Sequence, residues 1–236
     1  MSYIGFEDVL QRIFEHTTTK QQGDAFERAV VYFLKNDPLW QGRFSGVWLW
    51  NDAPTKTGAD IGIDIVARDA GDGSYWAIQC KCYAADASLT YHDVSTFFST
   101  AAADERYGHY LVVDTASVWS THLEETAAAY RAKGTDVVRI DADALNASSL
   151  NWAPFVEGRA PEQRALFEPR EHQREAIAAC LAGFKQHDRG KLIMACGTGK
   201  TLTALRLAEQ LCPHGKVLFL APSISLVAQT LRAWAN

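Results

Sequence analysis

At 236 residues and 26.1 kDa the chain has room for one large domain or two small ones, with enough apolar material for a core that needs no staples. Hydrophobic residues make up 47% and charged residues 22%, which excludes a wholly disordered, collagen-like or fibrous chain. The net charge of −5 conceals a division: residues 1–160 hold 13 Lys/Arg against 22 Asp/Glu, and residues 161–236 hold 10 against 6.

No apolar run approaches the ~20 residues of a membrane span, and Glu7 and Asp8 stand where a signal peptide would be basic and then apolar. A soluble, cytoplasmic protein without membrane contact is expected. The five cysteines are odd in number and form no C-x-x-C pair, so neither a disulfide framework nor a zinc site is indicated.

In chain order, amphipathic periodicity predicts helices over about 3–16 and 21–36, the second stopped by Asn36-Asp37-Pro38. Strands follow at Phe44–Trp50, Ile61–Arg68 and Tyr75–Cys82, the last two separated by the turn-rich segment 69–74. A helix near 90–104, a strand at His109–Asp114, a helix near 118–133 and a strand at Asp136–Ile140 close this block. From about Asn151 to Phe167 periodicity lapses, and Pro154, Gly158 and Pro161 mark a linker and a domain boundary. Beyond it come a helix (Glu171–Lys185), a strand (Lys191–Met194), a glycine loop, a helix (Lys200–Leu211), a strand (Lys216–Leu220) and a helix near 226–235, the opening of a parallel α/β sheet.

The loop Ala195-Cys196-Gly197-Thr198-Gly199-Lys200-Thr201 follows an apolar strand and opens a helix, the setting of a Walker A phosphate loop. Backbone N–H groups from Gly197 to Thr201 can wrap phosphates at a helix N-terminus. Lys200 would hold the β- and γ-phosphates of ATP, and Thr201 would ligate its Mg²⁺. The strict pattern is not met, since Met194 occupies its first glycine position. Residues 194–201 resemble motif I of superfamily 2 helicases and translocases of restriction enzymes. Pro169-Arg170-Glu171-His172-Gln173 resembles the element before that motif, which makes Gln173 the candidate adenine reader, with Arg170 beside it. Leu220-Ala221-Pro222-Ser223 through Thr230 resembles motif Ia, with Ser223, Gln229 and Thr230 as donors to a DNA backbone. No acidic Walker B strand or second RecA-like lobe follows Lys200, so the sequence reads as part of a longer protein whose motor is truncated after motif Ia, and it is not expected to turn over ATP at a motor's rate.

In the first block, period-two alternation places Ile61, Ile63 and Ile65 on one strand face and Asp60, Gly62 and Asp64 on the other. The next strand sends Trp76, Ile78, Cys80 and Cys82 one way and Tyr75, Ala77, Gln79 and Lys81 the other. A hairpin centred on Gly71-Asp72 opposes residues whose numbers sum to 143, so Asp64 faces Gln79 and Gly62 faces Lys81. Asp64 and the Gln79 amide oxygen are hard donors suited to Mg²⁺. Lys81 can orient or deprotonate the attacking water and stabilise phosphate charge, with Gly62 leaving space for it. Glu27, at the edge of the apolar stripe of the second helix, is either a fourth member of this site or a rim glutamate reaching water. The bland alternative for Asp64 and Lys81 is a surface ion pair.

Gly23-Asp24-Ala25-Phe26-Glu27, residues 58–64 and Gln79-Cys80-Lys81 resemble the PD-(D/E)xK nucleases, and within them the Mrr-like restriction nucleases. That resemblance implies a mixed central sheet flanked by helices and Mg²⁺-dependent cleavage of DNA. In it Asp64 is the catalytic aspartate, Gln79 takes the (D/E) position, Lys81 is the catalytic lysine, and Glu27 is the helix-borne acid. Asp64, Gln79 and Glu27 are then the metal ligands. Gln79 departs from the wider superfamily but is usual in the Mrr-like branch.

The expected organisation is α/β throughout: a nuclease domain over 1–160, then the first part of a RecA-like lobe over 161–236. This order resembles type ISP restriction–modification enzymes and type I motor subunits, with double-stranded DNA, ATP and the rest of the polypeptide as partners. The alternatives are an Mrr-like nuclease–helicase of phage defence without a methyltransferase, and a catalytically dead nuclease fold that positions DNA. The acidity of residues 1–160 predicts weak DNA binding and weak cleavage in isolation.

Overall fold

The computed structural model describes residues 3–56, 62–160, 168–195, 197–213, 215, 217–223, 226–227, 230–231 and 234. The chain divides into two compact units, residues 1–162 and 163–236.

In the first unit, α1 (Phe6–Phe14) and α2 (Thr19–Asn36) precede β1 (Phe44–Leu49) and a 3₁₀ turn at Trp50–Asp52. Then come β2 (Ile65–Asp69), β3 (Tyr75–Lys81), the short β4 (Ser88–Leu89), α3 (Tyr91–Ala102), β5 (Tyr107–Asp114), β6 (Val118–Trp119), α4 (Thr121–Ala132) and β7 (Asp136–Ile140). Two short helices, α5 (Ala142–Asn146) and α6 (Ala153–Val156), end the unit. The main sheet has the order β1-β2-β3-β5-β7, with β1, β2 and β3 antiparallel and β3, β5 and β7 parallel, while β4 and β6 form a separate parallel pair.

Both faces of the sheet are buried, and alternate residues along each strand go to different cores. Ile65, Ala67, Ile78, Leu111 and Val113 join Phe6, Phe26, Val30 and Leu34 of α1 and α2. Val66, Ala77, Tyr110 and Val112 join Phe97, Phe98 and Leu123 of α3 and α4. This mixed sheet, flanked by helices, is the expected fold class.

The structure departs from three expectations. First, the strand predicted from Ile61 starts at Ile65, because Gly62 has φ +83°, a left-handed conformation that ends extended backbone. Ile63 consequently packs in the α3/α4 core and Ile65 in the α1/α2 core, so they do not share a face. Second, the face of β3 carrying Tyr75, Ala77, Gln79 and Lys81 is not an open polar surface: Ala77 is fully buried in the α3/α4 core and Tyr75 packs against it. Asp60 and Ile61 lie outside the described residues.

Third, the predicted linker begins too early. Trp152 is 1% exposed, and its ring centroid lies 5.3 Å from that of Phe6, 5.5 Å from Tyr32 and 5.9 Å from Phe155. Its backbone N–H donates to the Ile4 carbonyl at 3.0 Å, so the segment after β7 closes the core over the N-terminus. Trp152→Ala is expected to cost about 3–5 kcal/mol, the range for deleting a buried aromatic side chain, and to move the urea midpoint of the first unit down. Among the described residues the buried indole N–H of Trp152 meets no acceptor, so Trp152→Phe should cost distinctly less.

In the second unit, α7 (Glu171–Phe184) and α8 (Lys200–Leu211) pack together. The strands predicted at Lys191–Met194 and Lys216–Leu220 are not laddered among the described residues. A strand is defined by a neighbour's hydrogen bonds as well as by its own composition. Ile193, Leu218 and Leu220 are accordingly exposed.

Candidate functional site

The β2–β3 hairpin has the register expected from its turn: Ile65 pairs with Ile78, Val66 with Ala77, Ala67 with Trp76 and Arg68 with Tyr75. Asp64 stands one residue before β2. Its backbone is held from both sides, its N–H donating to the Ile78 carbonyl at 3.0 Å and its C=O accepting from Trp50 N at 2.7 Å. One carboxylate oxygen, Oδ2, accepts from the backbone N–H of Cys80 at 2.7 Å and from the Gln79 side-chain amide. Gln79 is 5% exposed, and its amide nitrogen also lies 3.4 Å from the Cys80 carbonyl.

Glu27 reaches the same place from α2. It is half-buried, and together with Asp64 it lines a cleft of about 350 Å³ whose wall also includes Lys20, Asp24, Arg28 and Trp50. The electrostatics of Cys80 tie the group together. Burial pushes this thiol well above its ordinary value, the Asp64 and Glu27 carboxylates push it further, and the Lys81 ammonium opposes them. Cys82 next to it is pushed up to about 11 by burial, against a hydrogen bond with Thr115. Both thiols therefore stay protonated at neutral pH.

Lys81 ends β3 opposite Asp114 of β5, and its carbonyl accepts from Thr115 N at 3.1 Å. Its charge also reaches Asp93 in the first turn of α3. Burial works to raise that carboxyl, but hydrogen bonds from Thr90 and Tyr83, with the Lys81 charge, hold it below its ordinary value. Gly62 does not face Lys81, as the continuous hairpin would have required. A Cβ placed on Gly62 would lie 3.1 Å from the Thr96 methyl, so its missing side chain admits α3 rather than substrate.

Asp64, Gln79 and Glu27 offer carboxylate and amide oxygens, the donor set a hard divalent cation takes. With its nitrogen on Asp64, the Gln79 amide would have to turn about 180° to present its oxygen. A separate trio, Asp69, Asp72 and His109, sits at the turn end of the hairpin. Asp69 there is already held by Arg43 at 2.9 Å, the Trp76 indole N–H at 3.1 Å and Gly71 N at 2.8 Å, so its oxygens serve the turn.

In the second unit, Gly197 and Gly199 both have left-handed φ, +78° and +79°. A Cβ on Gly199 would come within 2.3 Å of the Gln173 amide, so glycine is required on packing grounds as well. Gln173 is buried, with its Oε1 accepting from Arg170 N at 2.8 Å and its Nε2 donating to the Thr198 carbonyl at 2.8 Å. Its amide is spent on the loop and on the cap of α7, so it could read adenine only by exchanging those bonds. Lys200 Nζ folds back onto the Ala195 carbonyl at 3.1 Å, and the Thr201 carbonyl accepts from the Trp234 indole at 2.9 Å. Thr230 is 6% exposed and is not presented to a DNA backbone. Cys196 and Gln229 lie outside the described residues.

Reading of the sequence missed Lys20, Asp24, Arg28 and Trp50 as walls of the cleft. The signal was present for Lys20 and Asp24, seven and three residues before Glu27 on one helical face, and Arg28 follows Asp24 by four. Among the described residues, no helix is long and apolar enough to cross a membrane.

Residues 35–162 match the family model for a restriction endonuclease, Mrr_cat_2, and residues 166–236 match that for a type III restriction enzyme, res subunit. A probable helicase of African swine fever virus (isolate Pig/Kenya/KEN-50/1950) is 40% identical over 70 residues, 30% of this chain and 8% of the viral protein. The structure of the ATP-dependent type ISP restriction–modification enzyme LlaBIII bound to DNA superposes with a TM-score of 0.76 at 30% identity, over 99% of this chain and 15% of that one. The chain thus spans a small part of the length of the relatives it matches. With a nuclease-type match over more than half its residues and a helicase-type segment after it, the chain belongs to the Mrr_cat_2 restriction endonuclease family.

Proposed function

We propose that residues 1–160 form a Mg²⁺-dependent DNA endonuclease, working with an ATP-dependent double-stranded-DNA translocase to which residues 161–236 contribute. The observation that carries this reading is the convergence of Asp64 and Glu27, from a hairpin and a helix, on one cleft, with Gln79 bonded to Asp64 and Lys81 ending the same hairpin. In this reading Asp64, Glu27 and the Gln79 oxygen hold Mg²⁺, which when bound polarises the phosphodiester and acidifies water.

The chain's own residues do the rest. The Cys80 N–H fixes the Asp64 carboxylate. Gln79, buried beside it, couples any movement of that carboxylate to its own amide. Lys81 supplies a positive charge to the phosphate and takes or orients the water proton. In the second unit, Gly197 to Thr201 cradle the phosphates of ATP, and Lys200 leaves the Ala195 carbonyl to meet them. Thr201 would hold the nucleotide's Mg²⁺, while Gln173, with Arg170 at the same helix cap, would read the base.

The test is cleavage of plasmid DNA by the protein with and without Lys81. Lys81→Ala is expected to lower the rate by about 10²-fold or more, the scale of losing one preorganised charge at a reacting phosphate, with thermal unfolding unchanged because the side chain is only half-buried. Wild-type cleavage by a folded Lys81→Ala variant would show a surface ion pair or a DNA-positioning fold instead.

A further inference from the structure

The cleft that holds Glu27 and Asp64 has a basic rim. Lys20 and Arg28 lie on the α2 face that lines it, and both are exposed. Eight residues apart, they stand two turns and about 12 Å from each other along the helix, one on each side of Glu27 in sequence. Neither makes an ion pair within 4.0 Å among the described residues, although Asp24 lies four residues from each. The first turn of α2 carries no acidic residue and its cap is the neutral Thr18, so no carboxylate in that turn offsets the positive end of the 18-residue helix next to Lys20.

Unspent cations in a block with nine more acids than bases are an exception to its general repulsion of polyanions. Spaced along the same wall as the acidic site, they suit an extended chain of phosphates, which single ions or small acids would not match in length. We propose that Lys20 and Arg28 grip the DNA backbone on either side of the scissile phosphate and lay that strand across Glu27 and Asp64. Asp24, between them, opposes the phosphates and keeps the grip weak, so that the block engages DNA only when it is delivered. This inference rests on the nuclease reading for its choice of DNA, but the contacts themselves are measured without chemistry.

The experiment is fluorescence anisotropy of a labelled 20-base-pair duplex with the 236-residue protein, at 20–200 mM salt and with Ca²⁺ replacing Mg²⁺. Lys20→Ala and Arg28→Ala should each weaken binding several-fold on every duplex sequence. Together they should flatten the slope of log K against log salt by roughly 1.8, about 0.9 for each lost phosphate contact. Asp24→Asn should tighten binding, and Lys133→Ala, outside the cleft wall, should leave it unchanged. All four side chains are exposed, and unchanged thermal unfolding checks their folding. The proposal is overturned if the double variant keeps wild-type affinity and slope, if Lys133→Ala weakens binding equally, or if the wild type fails to bind at the lowest salt. Cleavage is scored in parallel with Mg²⁺: an Asp64→Ala protein that cuts normally would sink the nuclease reading while leaving the binding slopes to judge the rim.

Discussion

Asp64→Asn is expected to reduce Mg²⁺-dependent DNA cleavage by about 10²-fold or more while leaving stability near the wild type, whereas Asp64→Ala loses both. The difference follows from the two duties of the carboxylate. It accepts the Cys80 N–H and the Gln79 amide, and in the proposed reaction it is the central oxygen donor to the metal. Alanine takes the acceptor from the Cys80 N–H at a largely buried hairpin end and leaves the Gln79 amide the longer contact with the Cys80 carbonyl, a loss of about 1–3 kcal/mol for each donor stranded. Asparagine, with its carbonyl oxygen in the place of Oδ2, keeps the acceptor that the Cys80 N–H and the Gln79 amide share, so the local bonds survive while the charge goes. Plasmid linearisation over a Mg²⁺ titration, beside thermal unfolding of both variants, separates the effects. Cleavage by Asp64→Asn at the wild-type rate would remove Asp64 from the reaction.

The hairpin register was legible because side chains alternate with period two and the turn fixes the pairing, so a single turn centre set all four pairs. What defeated the alternation was one glycine. Gly62 turns left-handed to let Thr96 approach, and the residues before Ile65 then leave the strand, which sends Ile63 and Ile65 to different cores. Glu27 could be placed at the margin of an apolar stripe, but its direction depends on the rotation of α2, which is set by packing against β1 and β3 and so by distant residues. Trp152 was invisible for a similar reason: a four-residue helix has no periodicity, and the partners that bury it, Ile4, Phe6 and Tyr32, are more than a hundred positions away. In the second unit the glycines and lysine of the phosphate loop were plain in the sequence. The use of Gln173 as a brace under Gly199 was not, because the contact runs from α7 to a loop 25 residues along the chain.

Arg139→Ala is expected to destabilise the first unit by about 3–5 kcal/mol, the usual result of stranding a buried charge. The Asp114 side chain is fully buried and meets the Arg139 guanidinium in a two-pronged contact, Nε to Oδ2 at 2.9 Å and Nη2 to Oδ1 at 2.8 Å. The Trp119 indole and the Ala116 N–H also donate to it, at 2.8 and 3.1 Å, and Arg139 lies over the Trp119 ring. Alanine removes the only cation bonded to Asp114 among the described residues and leaves a carboxylate with two neutral donors. Because Asp114 is the register partner of Lys81, loosening this corner also frees the end of β3, and cleavage should fall along with stability. Replacing both partners by apolar residues, Asp114→Leu with Arg139→Met, removes the stranded charge and should cost less than Arg139→Ala alone. Urea unfolding of Asp114→Leu, of Arg139→Met and of the two together closes the cycle. If Arg139→Ala stays within about 1 kcal/mol of the wild type, as an exposed pair would, the buried pair is not what holds this corner of the sheet.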